Sequence, residues 1–354
     1  MQPDRPLLTI AIPTYNRAAY LQQLLSGLCE QVISHPEVEL LISDNASTDA
    51  TPSAVSLFES QGLRLQYVRN EINIGADANF LQCFEQARGK YLWVVGDDDV
   101  IVPGSIDKVL PLLQASDYAF VYLVPYPFRD DIMAGRQHDR FGRFAQRVPN
   151  GSAFIRIVGP MLTFISAIIV NKERYERLQA PNLSTFVGTN LIQLGWCLPL
   201  LASGGESLIF WDRILAARVG NSGGYGIGRV FAENLNALMA TILQDREDLK
   251  EIVTNCNLRD WFPTTIIQNR YSRAGDLEEE DLHVLMKGLY RLNWRYWVYV
   301  FPVIGLPRSF ARGWWTATQL LNRGERVLRL MFSYPHQRRS LIPRAHASIA
   351  HESR

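Results

Sequence analysis

The chain has 354 residues, 47% hydrophobic and 20% charged, a composition that excludes wholesale disorder and allows one large domain or two ordinary ones. Its formal charge of +1 is unevenly divided: residues 291–354 hold eleven Arg, no Lys and two acids, Glu325 and Glu352, a net +9 that leaves −8 on the first 290 residues. A basic tail on an acidic body points to an anionic surface as partner, membrane or nucleic acid.

In chain order, residues 7–13 read as an apolar strand and 18–28 as a helix with Leu21, Leu24, Leu25 and Leu28 on one face. Strands follow at 38–43, 65–69 and 91–95, alternating with helices at 51–61, 76–88 (Gly89 as its cap) and 105–114. This alternation predicts an α/β fold with a mostly parallel sheet, helices on both faces, and the loops after successive strands gathered at one edge. Three of those loops carry chemistry: Pro13-Thr14-Tyr15-Asn16-Arg17, Asp44-Asn45-Ala46-Ser47-Thr48-Asp49, and the acidic triplet Asp97-Asp98-Asp99 after Gly96. Three adjacent carboxylates repel one another unless a cation sits among them. Mg²⁺ or Mn²⁺ suits, because such an ion prefers oxygen ligands and leaves coordination sites for a substrate's phosphates. Solvated acidic turns are also common, and Ser47-Thr48-Asp49 could simply cap a helix.

Further strands are expected at 118–125 and 165–171, and an edge strand at 207–211; residues 183–201 read as a helix. The segment 128–149, with Arg129, Arg136, Arg140, Arg143 and Arg147, reads as a lid or an ordinary surface excursion, and 221–226 as a glycine-rich loop without the lysine and spacing of a P-loop. From residue 231 the pattern turns helical, at 231–243 and 281–292, followed by the aromatic run 294–302 and by Trp314 and Trp315 beside Arg308 and Arg312. Such rings with Arg suit an anionic bilayer surface; they could equally form the small core of a helical appendage. Basic residues set among large apolar ones, with no recognised motif, argue against nucleic acid. Cys29, Cys83, Cys197 and Cys256 are scattered with no Cys-x-x-Cys, which predicts buried free thiols in a cytoplasmic protein. Neither a signal peptide nor a membrane-spanning helix is expected.

Residues 9–17, 44–49, Asn73-Ile74-Gly75 with Asn79, and Gly96-Asp97-Asp98-Asp99, in that order, resemble glycosyltransferase family 2, and within it the abequosyltransferase-like O-antigen sugar transferases. The resemblance is strong over about residues 5–115 and weakens to about 215. It implies a GT-A (Rossmann-like) mostly parallel central sheet flanked by helices. We expect a catalytic domain at 1–215, a C-terminal helical region at 216–332 that meets a membrane through 291–332, and a disordered tail at 333–354. The implied activity is metal-dependent, inverting transfer of a hexosyl or deoxyhexosyl group from a nucleotide-sugar donor to a glycan or lipid-linked saccharide acceptor, in cell-surface polysaccharide synthesis. Its implied place is the cytoplasm, peripheral on the inner face of the plasma membrane.

Carried over by position, Pro13 and Tyr15 line the nucleobase pocket, and Asp44 accepts a hydrogen bond from the base. Asn73, Asp77 and Asn79 meet base, ribose or phosphate. The triplet covers the metal motif, with Asp97 toward the ribose, Asp98 on the metal, and Asp99 on the metal or serving as base. An arginine of the 128–149 segment is expected to add positive charge at the phosphates. Two departures stand out. Gly96 replaces the first acid of the usual motif, and Gly188-Thr189-Asn190 stands where many members carry a Glu-Asp pair holding the catalytic base. That leaves Asp99 or Glu206 as base, or a chain that binds nucleotide-sugars as a scaffold without turning them over.

Overall fold

The computed structural model describes residues 5–136, 144–220, 226–271 and 281–333. The first half alternates as the apolar pattern requires: β1 (Leu8–Thr14), α1 (Ala18–Ile33), β2 (Val38–Asp44), α2 (Thr51–Ser60), β3 (Gln66–Arg69), α3 (Ala76–Gln86), β4 (Tyr91–Val94), a short β5 (Val100–Ile101) and α4 (Ser105–Ala115). Every residue of β1, β2 and β4 is buried, as befits strands covered by helices on both faces. α1 meets them with Leu21, Leu24, Leu25, Leu28 and Val32, the stripe its spacing predicts.

The chain continues through β6 (Phe120–Leu123), β7 (Tyr126–Phe128), β8 (Ala145–Val148), α5 (Gly151–Val158), β9 (Ile168–Asn171), α6 (Lys172–Glu176), α7 (Leu194–Ser203), β10 (Ser207–Phe210) and β11 (Leu215–Arg218). Eight strands form the central sheet in the order β3-β2-β1-β4-β9-β6-β10-β8, with β9 and β8 antiparallel to their neighbours and every other pair parallel. A small second sheet, β5-β11-β7, lies beyond the end of β4.

Four sequence expectations are corrected. β10 is interior, because residues 145–148 of the expected lid pair with it and take the edge. The strand expected at 165–171 begins with a 3-10 turn, Ile165–Ala167, that turns the Ser166 hydroxyl onto the Gly96 N–H at 2.9 Å. The helix expected at 183–201 is split into a 3-10 turn, Leu183–Phe186, and α7, since Gly188 and Asn190 between them take φ of 90° and 56°. Gly89 is not a helix cap: α3 ends at Gln86, and a Cβ at Gly89 would stand 2.5 Å from the Thr9 backbone nitrogen, so this position needs glycine for the close approach of β1.

The C-terminal helices are α8 (Leu235–Ile242), α9 (Glu247–Cys256), α10 (Phe262–Tyr271), α11 (Leu282–Tyr290), α12 (Phe301–Gly305) and α13 (Arg308–Ser333). The main core runs past residue 215 to Leu235, Leu249 and Cys256, while Phe262, Ile266, Met286, Tyr290, Tyr296 and Val303 gather into a second cluster. Tyr296 is thus core, whereas Trp294, Trp297 and Trp314 stay exposed. All four cysteines are buried and free. No helix among the described residues is long and apolar enough to cross a membrane. The glycine-rich loop at 221–225, Arg140, Arg143 and the tail from residue 334 lie outside the described residues.

Candidate active site

The ends of β1, β2 and β4 open onto a cleft of about 580 Å³. In an open α/β sheet, this carboxyl edge is where ligands bind. Pro13, Tyr15, Asn73, Asp77, Asn79, Asp97, Asp98 and Asp99 all line it. Its loops are stitched to one another: Asn16 accepts the Thr48 N–H at 2.7 Å, the Asn16 N–H meets the Ser47 hydroxyl at 2.9 Å, and Asp49 accepts the Ala18 N–H at 3.0 Å. Asn16, Ala46 and Asn190 are the described non-glycine residues with positive φ, and all belong to loops at this edge. Concentrated backbone strain of this kind accompanies binding sites.

Not every expected contact faces the cleft. Asp44 is fully buried and absent from the lining; its oxygens receive the Ser47 N–H at 2.8 Å and the Tyr67 hydroxyl at 2.6 Å, so it anchors its own loop. Its neighbour Asn45 lines the wall instead, donating to Asn73 at 2.8 Å and accepting the Ile74 N–H at 2.9 Å. Asn79 is tied back to Ser43, accepting its hydroxyl at 2.6 Å and donating to its carbonyl at 3.0 Å. Asp77 accepts the N–H groups of Gly188 and Asn190, each at 2.8 Å, and so pins the loop where relatives carry Glu-Asp. Burial raises the Asp77 pKa against these donors.

Glu206 is not brought to the cleft. It precedes β10, its carbonyl accepts the Ala119 N–H ahead of β6, and its carboxylate pairs with Arg147 at 3.4 Å, all at the amino edge of strands that run parallel to β1. Two arginines of the 128–149 segment are committed elsewhere, Arg147 to Glu206 and Arg136 to the Arg213 carbonyl, and Arg129 is not part of the cleft lining. Among the described residues, the cation that reaches the cleft is Arg17, the last residue of the first loop motif.

Within the triplet each carboxylate has its own surroundings. Asp97 is 4% exposed, with the Thr14 hydroxyl on Oδ2 at 2.8 Å and Arg17 Nη1 on Oδ1 at 2.9 Å. Burial raises its carboxyl to about 6, against the pull of Arg17. Asp98 lies 3.4 Å from Arg17 through Oδ2. Asp99 is also 4% exposed and accepts the Arg218 N–H at 3.0 Å; burial lifts it to about 7, with the Ser166 hydroxyl opposing. Arg218 braces this turn, donating to the Asp98 carbonyl at 3.1 Å while its guanidinium lies over the rings of Tyr20 and Phe128.

No group of three or more His, Cys, Asp or Glu among the described residues is arranged to hold a metal ion. The donor chemistry nonetheless fits one. The side chain that Gly96 lacks would stand 3.1 Å from Asp98 Oδ1, 3.5 Å from Asp99 Oδ2 and 3.5 Å from Ser166 Oγ, so three oxygens converge on the space it leaves. Mg²⁺ and Mn²⁺ are commonly held by one or two carboxylates completed by substrate phosphates, not by an all-protein cage.

The sequence missed Thr14, Arg17, Asn45, Ser166 and Arg218. The first three lay inside the recognised motifs and only needed a role. Ser166 and Arg218 come from turns and strands far along the chain, and no local pattern marks them.

A mostly parallel sheet with a polar cleft and an acidic triplet at its carboxyl edge has the architecture of the GT-A fold. The profile of glycosyl transferase family 2 matches residues 9–190, just over half of the chain, and the chain belongs to that family. It is 29% identical over 197 residues to abequosyltransferase RfbV of Salmonella typhimurium, which covers 52% of this chain and 58% of that protein. The chain spans about half the length of the curated relatives it matches first, 58% and 50%. By structure it is similar to S. aureus TarS 1–349 in complex with UDP-GlcNAc, with a TM-score of 0.57, 17% identity and 88% of each chain covered. It is also similar to the mannosyltransferase PcManGT of Pyrobaculum calidifontis in complex with GDP-Man and Mn²⁺, with a TM-score of 0.50, 15% identity, and 93% and 88% covered.

Proposed function

We propose that this chain transfers a hexosyl or deoxyhexosyl group, with inversion, from a nucleotide-diphosphate sugar to a glycan or lipid-linked saccharide in cell-surface polysaccharide synthesis. The observation that carries this is the lining of one cleft by Pro13, Tyr15 and Asn73 together with all three triplet acids. Tyr15, whose side chain is 42% exposed at the mouth, offers a ring to the base, and Asn73 and Asn45 offer polar edges. Asp98, with the donor's phosphate oxygens, would hold Mg²⁺ or Mn²⁺; the ion's chemistry there is to neutralise charge on the departing diphosphate. Asp99 takes the proton of the acceptor hydroxyl, for which a carboxylate with a pKa near the working pH is suited. A thermal-shift screen of nucleoside diphosphates with Mn²⁺ tests the donor assignment, because a ligand of the native state raises apparent stability. Asp98→Ala is expected to abolish the Mn²⁺-dependent part of the shift and turnover; full activity in this variant would remove Asp98 from the metal site.

Asn190, standing where a carboxylate is usual, favours a second reading: a nucleotide-sugar binder without turnover. Release of nucleoside diphosphate from donor without acceptor, slow but above background, separates the enzyme from the scaffold.

The basic tail is proposed to rest on an anionic bilayer. α13 hides Thr318 and Asn322 and exposes Phe310, Trp314, Leu320 and Leu321, the reverse of a helix built only to pack inward. Trp314 donates to the Val298 carbonyl at 2.8 Å, which sets it beside the segment bearing Trp294 and Trp297, and Arg291, Arg308 and Arg312 are exposed around it.

A further inference from the structure

Arg17 plays no part in the transfer proposed above, yet among the described residues that line the cleft it is the cation. It follows β1 directly and ends the loop before α1, its carbonyl accepting the Leu21 N–H at 3.0 Å. The backbone is thereby fixed, while a long side chain, 38% exposed, reaches across to β4. There Nη1 lies 2.9 Å from Asp97 Oδ1 and 3.4 Å from Asp98 Oδ2. A single guanidinium nitrogen therefore spans two neighbouring carboxylates and holds Oδ2 of Asp98, whose Oδ1 borders the space left by Gly96. The second oxygen of Asp97 is already occupied by Thr14 at 2.8 Å.

The charge balance makes this contact consequential. Three adjacent, largely buried carboxylates disfavour their own ionisation unless a positive charge is near. With Arg17 in place, the triplet has that charge before any ion arrives. An incoming ion must then displace a guanidinium from Asp98, and the displaced guanidinium needs a new anion. Arginine forms strong paired hydrogen bonds with phosphate, and the donor's diphosphate brings such oxygens into the same cleft.

We infer that Arg17 is a resident counterion of the triplet: it keeps free divalent ions off Asp98 and yields that carboxylate when a diphosphate draws its guanidinium away. The inference rests on the reading of the cleft as a metal-assisted diphosphate site. It makes ion and diphosphate bind cooperatively, each favouring the other by the same factor. It also gives Arg17 a positioning role that differs from simple phosphate attraction, because its loss should strengthen binding of the ion alone.

The test is Mn²⁺ binding to the full chain, read by calorimetry or electron paramagnetic resonance, with and without inorganic pyrophosphate. Wild type is expected to bind Mn²⁺ weakly alone and about tenfold or more tighter with pyrophosphate, within the usual range of coupling between sites. Arg17→Gln is expected to bind Mn²⁺ alone about tenfold tighter than wild type and to lose most of the gain from pyrophosphate. If Arg17→Gln does not fold, Arg17→Met carries the same comparison with the same directions, since it too removes the charge while keeping a long unbranched side chain. Equal Mn²⁺ affinity for wild type and variant in the absence of pyrophosphate overturns the inference and leaves the metal site standing. An unchanged pyrophosphate gain in the variant overturns it likewise. Absence of Mn²⁺ binding in both proteins under both conditions overturns the inference and the metal reading together.

Discussion

Asp98 and Asp99 are adjacent in the chain yet sit in different surroundings, and the roles proposed for them rest on that difference. Asp99 is 4% exposed and burial raises its carboxyl to about 7, above the ordinary carboxylate range. A raised carboxyl is protonated below that value, so the basic form needed to accept a proton fills only as pH climbs through about 7. The expected kcat/KM therefore falls about tenfold per unit below pH 7 and levels above it. Asp99→Asn should cost about 10²–10⁴-fold and erase that limb, as loss of a general base does. Initial rates from pH 5.5 to 8.5 check both, and a flat wild-type profile would move the base elsewhere. Asp44 and Asp77 mark the limit of reading single residues. The sequence shows a carboxylate after a strand or at a helix start; it does not show that Asp44 faces Ser47 and Tyr67 or that Asp77 faces two N–H groups 111 and 113 residues away. Asp77 lines the cleft and pins the loop at its rim, whereas Asp44 lies behind the lining and anchors its own loop.

At the scale of elements, periodicity located the strands and helices that carry the cleft, because β1, β2 and β4 are largely apolar and α1 is striped. What periodicity cannot supply is lateral order. Ser207–Phe210 has the composition of any short strand, and its interior place depends on residues 145–148 pairing with it from a segment whose polar sequence argues for a loop. The same blindness hid the reason for Gly89. A glycine after a helix is read as a cap, yet this one lies where a side chain would enter β1: its Cβ would be 2.5 Å from the Thr9 nitrogen and 2.7 Å from the Tyr91 carbonyl oxygen. Neither is a flexible side-chain end, so the strands themselves would have to part. Gly89→Ala is expected to destabilise the fold by about 1–3 kcal/mol or more, the range for overpacking, although alanine is a better helix former than glycine. Chemical denaturation decides between the two roles: a stability equal to or above wild type would mean that Gly89 only ends a helix.

For the molecule as a whole, the uneven charge of the sequence and the exposed apolar face of α13 support the same proposal. The candidate site sits at the carboxyl edge of a body with net negative charge, while the net positive charge belongs to residues 291–354. The aromatic run supplied both readings in the sequence, core and surface, and the structure divides it: Tyr296 fills the second cluster, while Trp294, Trp297 and Trp314 are exposed. Which ring faces which way depends on the π-turn at Tyr296–Val300, a local change of pitch that no 3.6-residue pattern reveals. Phe310, Leu320 and Leu321 contribute little to packing, since each is more than three-fifths exposed. Removing two of them should leave the fold intact and weaken only what covers them. Each apolar side chain buried in a bilayer interface contributes about 1.5–3 kcal/mol. Phe310→Ala with Leu321→Gln should therefore lower partitioning onto phosphatidylglycerol vesicles by at least about tenfold, with an unchanged melting temperature. Wild-type partitioning should also weaken with salt and on neutral phosphatidylcholine, because each arginine near an anionic surface adds about 1 kcal/mol that screening removes. Equal co-sedimentation of wild type and double variant would show that this face meets no membrane, and would leave the exposed stripe to a second copy of the chain or another protein.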